Sequence, residues 1–556
     1  MKIALALLLA MAAAGAVVVW QAPPPAPQTM AGYIPAGPAL VLEASDFAAL
    51  LRDWQGSKEK SAWLASDNYK VFSNSMLLLR LSQLRDEFAG AAALAPDMSL
   101  VESVAGTHSI LALYNLREIE FVYITRLPTA KAVESVLWQK RNDYQPRQSG
   151  GVTYYVRSQG DRQVAFAASG DYLVLATRED LMGRALALMN SAQAAGVPAV
   201  TSDAWFQQAV AAAGPAGDLR LTLDLQTLAR APQFRSYWIQ QNTPDLRAYR
   251  AAICDLRRTP SEIREERMML RMESAAAPAA LDSAIAGMIP SGAGLYRMWS
   301  APSVDQVVAA LRHKVLRPGP EFPSGSPGGT VAVAPQSNDD DADAATTDDD
   351  TDDSDAADAD SDSPQDPPQV AAPSEDLETR IDEAPLPSGA ATFDDKPLRQ
   401  LLSASTPRAM LVAQTVRDIP GGILAATRAV VIVEADSWDA AVVREIFGAS
   451  ATIRGRFLIA GDAGTAQAAA ALGDGVVYTA RFAHAQERGG YIKMLRLMDQ
   501  QPAWARTAEN DARQPLFFAE NLTSLSGALQ RLSDMSIVVR DTGHALQQTV
   551  VYHIAP

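Results

Sequence analysis

At 556 residues the chain exceeds one compact core and calls for several domain-sized units. Its apolar content of 48% excludes a mostly disordered chain. The net charge of -16 is carried by one tract: 14 aspartates and no basic residue lie between Asp339 and Asp366, so the remainder is at -2, with no basic excess for phosphates, which argues against nucleic acid as a partner.

Met1-Lys2 precedes an uncharged run from Ile3 to Val19, closed by Trp20. As a helix this run spans about 26 Å, close to the hydrocarbon thickness of a bilayer, with the positive charge left inside. Ala12 to Ala16 supply small residues for cleavage, whereas Val17, Val18, Val19 and the interfacial Trp20 favour retention as an anchor. Residues 1–22 are therefore expected to be a signal peptide or an N-terminal membrane anchor, with a proline-rich spacer at 23–31. The expected location is the periplasm or the outer face of the cytoplasmic membrane. Cys254 is the only cysteine, which excludes an intrachain disulfide and a lipid-bearing cysteine near the N-terminus; its apolar neighbours predict a buried small side chain.

After the spacer, Gly32-Tyr33-Ile34-Pro35-Ala36-Gly37-Pro38-Ala39-Leu40 leads into a predicted strand, 40–44, and a helix with Phe47, Leu50, Leu51 and Trp54 on one face. Gly287-Met288-Ile289-Pro290-Ser291-Gly292-Ala293-Gly294-Leu295 does the same before a strand at 295–299 and a helix carrying Val304, Val307, Val308 and Leu311. Both read G-x-I-P-small-G-x-x-L, an internal repeat. Further pairs follow in the same order. A strand at 121–125 feeds a helix at 130–139, as 430–434 feeds 438–447. The Gly170 strand feeds a helix at 181–189, as the Gly455 strand feeds one at 466–472. Strand pairs such as 152–156 with 163–167 complete the pattern. The expected fold is α+β: two duplicated lobes, 32–280 and 281–556, of mainly antiparallel sheet with helices packed on one face. The stretch 261–272 fits a charged helix face or a strand, and periodicity alone does not choose between them.

From 318 to 390 the composition turns to Gly, Pro and Asp, the mark of a disordered insert within the second lobe. Asp358, Asp360, Asp362 and Asp366 offer oxygen ligands at calcium-like spacing. Ser363 stands where a turn glycine belongs, and no closing Glu follows, so a self-repelling tether is the stronger reading. Ser57-Lys58-Glu59-Lys60 and Ser66-Asp67-Asn68 match two elements of serine β-lactamases, but nine residues apart and without Lys-Thr-Gly; a polar loop explains both. His108, His313, His484, His544 and His553 make no zinc-binding spacing, and no phosphate loop or dinucleotide fingerprint occurs. No cofactor and no catalytic residue is expected. The tryptophans read as core.

The I-P-x-G-x-x-L opening, Phe121-Val122-Tyr123-Ile124-Thr125-Arg126-Leu127 and Gly170-Asp171-Tyr172-Leu173-Val174-Leu175-Ala176-Thr177 together resemble uncharacterised exported or membrane-anchored bacterial proteins grouped as a domain of unknown function, over about residues 33–189. The resemblance implies an envelope location and brings no reaction, cofactor or catalytic residue. The expected role is non-catalytic: a binding or assembly factor held at the cytoplasmic membrane by its N-terminal segment, with an envelope protein as partner. Two rivals stay open, a hydrolase or transferase whose carboxylates meet only in the fold, and recruitment of cations or a basic partner by the acidic insert.

Overall fold

Alternating and β-branched segments pair here into sheet over long sequence distances. The computed structural model describes residues 29–316, 394–487 and 532–555, apart from 58–59, 62–63, 65–81, 84–85, 87–88, 93–100, 103, 132–135, 161, 191–195, 232–245, 419–424 and 463–471. The first strands are β1 (Leu40–Ala44), β2 (Ser109–Asn115), β3 (Glu120–Arg126), β4 (Gln145–Ser149), β5 (Val152–Gln159), β6 (Arg162–Ser169), β7 (Tyr172–Ala176), β8 (Leu219–Asp224), β9 (Tyr249–Arg258) and β10 (Glu262–Arg271). They are followed by β11 (Leu295–Ser300), β12 (Pro407–Asp418), β13 (Ala425–Ala435), β14 (Ala451–Arg454), β15 (Phe457–Gly461), β16 (Val476–Phe482), β17 (Leu532–Asp541) and β18 (Ala545–Ile554). Helices are α1 (Phe47–Gln55), α2 (Val136–Gln139), α3 (Glu179–Met189), α4 (Ala204–Ala212), α5 (Leu225–Arg230), α6 (Ser283–Ala286), α7 (Val304–Leu311), α8 (Lys396–Ser405) and α9 (Ala440–Phe447).

The strands form one 18-stranded antiparallel sheet. Outward from β10 the order is β10–β9–β8–β1–β2–β3–β7–β6–β5–β4. Outward from β18 it is β18–β17–β16–β11–β12–β13–β15–β14. β10 pairs with β18 and joins the two runs. Apart from the hairpin β4–β5, both runs list strands in the same order of connection.

The two I-P turns have the same build. Ile34 and Ile289 are buried, and Gly37 and Gly292 take positive φ of 93° and 81°, where a Cβ would strain the backbone. Tyr114 Oη donates to Pro35 O at 2.6 Å, clamping the first turn onto β2. The hairpins β6–β7 and β14–β15 both turn on a leading glycine, Gly170 (φ 56°) and Gly455 (φ 59°), as two-residue loops of this kind require. α1 starts on an Asp46 cap to Ala49 N, and α7 on a Ser303–Gln306 capping box.

Helices cover both faces of the sheet, not the single face expected. Val122, Ile124, Val174 and Ala176 pack with Leu181, Met182, Ala185 and Leu186 of α3, while the alternate residues Phe121, Tyr123, Leu173 and Leu175 pack with Leu137 of α2. Likewise Met410 and Val412 meet α7, α8 and α9, and Leu411 and Ala413 meet Ile285 of α6. Every strand face here is apolar, so each demands cover. The ambiguous stretch 261–272 is strand β10, stabilised by neighbours on both sides. The helix expected over 130–139 is α2 from Val136 onward, with a turn at 128–131. Trp299 lies on the expected strand, here β11, whereas Trp54 of α1, expected in the core, is 43% exposed. The expected helix at 466–472 and the insert at 318–390 lie almost wholly or wholly outside the described residues, as do residues 1–28. Among the described residues no helix is long and apolar enough to cross a membrane.

Candidate functional site

An open cleft of about 550 Å³ sits beside the first I-P turn. Gly37 and Pro38 form one rim; the starts of α4 and α5, Arg250 of β9 and Met272 just after β10 form the rest. Met272 is 41% exposed, and Trp205 is half-buried, stacked edge-on against Phe206 at 5.5 Å between ring centres. Two carboxylates line the cleft, and the backbone engages both. Asp203 Oδ2 accepts from Gly37 N at 2.8 Å, and Asp224 accepts from Gln226 N and Thr227 N as the cap of α5. These bonds fix the local chain: Asp203 ties the first I-P turn to the start of α4, and Asp224 starts α5. A second opening, about 470 Å³, lies where Asp46, Asp53, Asp218 and Arg258 meet Ile554 of β18. There too Asp46 caps α1, and Asp218 accepts from Arg258 N at 2.7 Å.

Beside the second I-P turn the same level of the sheet is built differently. Ala39 O accepts from Asp224 N at 2.9 Å near the first turn, and Gly294 O accepts from Ala483 N at 2.6 Å near the second. Near the first bond Ala39, Leu225 and Leu228 share an apolar cluster, and Leu42 stands half-buried three residues along from Ala39. The corresponding positions in the second half are Gly294, Arg297, His484 and Glu487, and the three ionisable residues are buried. Glu487 lies so close over Gly294 that a Cβ there would come within 1.9 Å of its carboxylate oxygen. Gln486 Nε2 donates to Gly292 O and to Glu487 Oε1, both at 2.9 Å, so a side chain spans this turn. The His484 ring stands edge-on to Phe482 at 4.1 Å.

On the far side of β13, Arg456 bridges two carboxylates, Asp282 and Glu434. Burial raises the Glu434 carboxyl above its ordinary range, more than Arg456 draws it down. Asp282 is held low by the Ala284 amide, which it caps, and by Arg456. Among the described residues no group of three or more His, Cys, Asp or Glu is placed to hold a metal ion.

The calcium candidates Asp358, Asp360, Asp362 and Asp366 lie outside the described residues, as do Ser66, Asp67 and Asn68. Ser57 Oγ accepts from Lys60 N at 3.0 Å, a local turn after α1. His553 Nδ1 contacts Asp534 Oδ1 at 2.6 Å, His108 Nε2 contacts Glu43 Oε1 at 2.8 Å, and His544, in the β17–β18 loop, contacts Ser274 Oγ at 2.6 Å. Cys254 is half-buried on β9, and burial pushes its thiol up, away from the reactive thiolate. Arg297 and Glu487 belong to no motif of the sequence, although the repeat held a signal for Arg297. Aligning the two openings sets Arg297 against Leu42 and Gly294 against Ala39.

No family model matches this chain, and neither does any curated protein. Two solved structures are similar to part of it, crystal forms I and III of TP0453. They are 13% and 11% identical, cover 47% and 46% of this chain and 83% and 82% of their own, and have TM-scores of 0.23 and 0.24. A likeness of that size carries no argument about this chain.

Proposed function

We propose that this is an exported envelope protein, tethered by its N-terminal segment and built from two copies of one α+β unit at 32–280 and 281–556, which acts by binding a partner and not by catalysis. The shared strand order, the paired I-P turns with their positive-φ glycines and the paired glycine hairpins support the duplication. The run from Ile3 to Val19 supports export.

One observation carries the binding reading. The cleft beside Gly37 is open, walled by Trp205 and Met272, and both of its carboxylates are already committed to backbone amides. Such a surface offers apolar contact and the Arg250 charge to a segment of an envelope protein. The test is affinity capture from membranes with the tethered chain, its Met272→Glu form and its Arg250→Glu form. A partner retained by the native chain and lost by both variants, at unchanged melting temperature, is the expected result. Equal capture by all three would overturn the reading.

A further inference from the structure

The two strands that meet in mid-sheet end matching hairpins. β9–β10 and β17–β18 both turn through four residues, with Thr259 N donating to Glu262 O at 2.8 Å and Thr542 N to Ala545 O at 3.0 Å. Superposing the hairpins on these threonines makes Glu266 the counterpart of Thr549. The β10–β18 register runs from Glu262 opposite His553 to Leu270 opposite Ala545, and its midpoint is Glu266 opposite Thr549. Each central residue therefore faces its own counterpart. The flanking bonds obey the same symmetry: Ile554 N donates to Ser261 O at 2.8 Å, and Arg271 N to His544 O at 2.9 Å. Ser261 and His544 are counterparts, and so are Arg271 and Ile554. A contact that matches itself under a twofold rotation is what two identical subunits make in an isologous dimer.

We propose that the β10–β18 junction is a dimer interface carried inside one chain, that its edges fit a second copy of this chain, and that Glu266 sets which edges pair. β10 against a second β10 in this register would oppose Glu266 to Glu266 and Arg264 to Met268. Like charges directly opposite destabilise a strand pair. β18 against β18 would oppose Thr549 to Thr549, a favourable pair. In the native pairing Glu266 faces Thr549 and is bridged by Arg257 from β9. First-with-second pairing thus avoids the one clash that first-with-first pairing would create.

The inference rests on the duplication reading but not on the cleft, so its failure leaves the capture experiment untouched. Full-length chains bearing Cys254→Ala and either Arg264→Cys or Met268→Cys are mixed, refolded together from denaturant and oxidised, with and without Glu266→Thr. Positions 264 and 268 meet only when β10 pairs with a second β10. With Glu266→Thr, disulfide-linked dimers of the mixed chains should rise about fivefold. They should also exceed the 264–264 dimers formed by the Arg264→Cys chain alone, which are out of register. Glu266→Gln keeps the shape and removes the charge, so it guards against a folding defect in Glu266→Thr and should give the same rise. Equal yields with and without the charge would remove Glu266 from the role, and yields that ignore register would remove the interface.

Discussion

The two halves of the sheet share a strand order while exchanging polar and apolar residues at corresponding places. On β8 and β9 the register pair Arg220–Asp255 is a buried ion pair, with two bonds at 2.8 Å and a third from Gly217 N to Asp255 at 2.9 Å. On β16 and β17 the corresponding register pair is Thr479–Val538. Near the I-P turns the exchange runs the other way, with Ala39, Leu42, Leu225 and Leu228 in the first half and Gly294, Arg297, His484 and Glu487 in the second. Neither polar group is required by the strand order, since each half forms without the other's. Alternation and register build the sheet, and the buried charges are local additions.

The largest test of that comparison is the buried pair. Asp255→Ala strands Arg220 and should cost about 3–5 kcal/mol in urea unfolding. Arg220→Thr with Asp255→Val, which copies the second half, should recover part of the loss. A double variant no better than the single would break the comparison. Next comes Gly294→Ala, whose methyl must displace Glu487; overpacking of this kind costs about 1–3 kcal/mol. Adding Glu487→Ala should relieve most of it, read as a coupling in a thermal double-mutant cycle. Ala39 already occupies the corresponding place in the first half.

Gly37→Ala and Gly292→Ala should each lower stability by about 1–2 kcal/mol, because both positions have positive φ. Similar shifts in melting temperature sharpen the equivalence of the two turns, and a shift at one alone would count against it. The smallest effects are in pH. Burial would raise the Asp534 carboxyl, but hydrogen bonds from His553 and Arg481 outweigh it and hold the group below its ordinary value. Its contribution is present above about pH 4 and lost as pH falls through the lowered value. Asp534→Asn should therefore flatten the acid limb of the melting-temperature profile, by less than about 1 kcal/mol given its exposure to solvent. Glu434 has the opposite sign. Its raised carboxyl favours the folded state only while protonated, and that contribution is lost as pH rises through the raised value. Glu434→Gln should raise the melting temperature at neutral pH.

Much of the framework was legible because its signals are local. Periodicity and glycine turns placed β1, β3, β7, β11, β15, α1, α3, α7 and α9 within a few residues. β10 was not legible, since its charges suit a helix until β9 and β18 take its two edges, and β18 comes from 281 residues away at Arg267–Gln548. The cleft was half legible: Gly37 and Pro38 stood in the repeat, while Trp205, Arg250 and Met272 come from three separate elements.

The sequence by itself determined the apolar N-terminal run, the near-neutral body outside one aspartate tract, an α+β class and two matching openings, because each depends on residues near one another in the chain. Only the tertiary structure decided that helices cover both faces, that β10 closes against β18 about Glu266 and Thr549, and that Arg297, His484 and Glu487 stand where the first half is apolar. These are matters of strand register and burial, set by contacts between residues hundreds of positions apart.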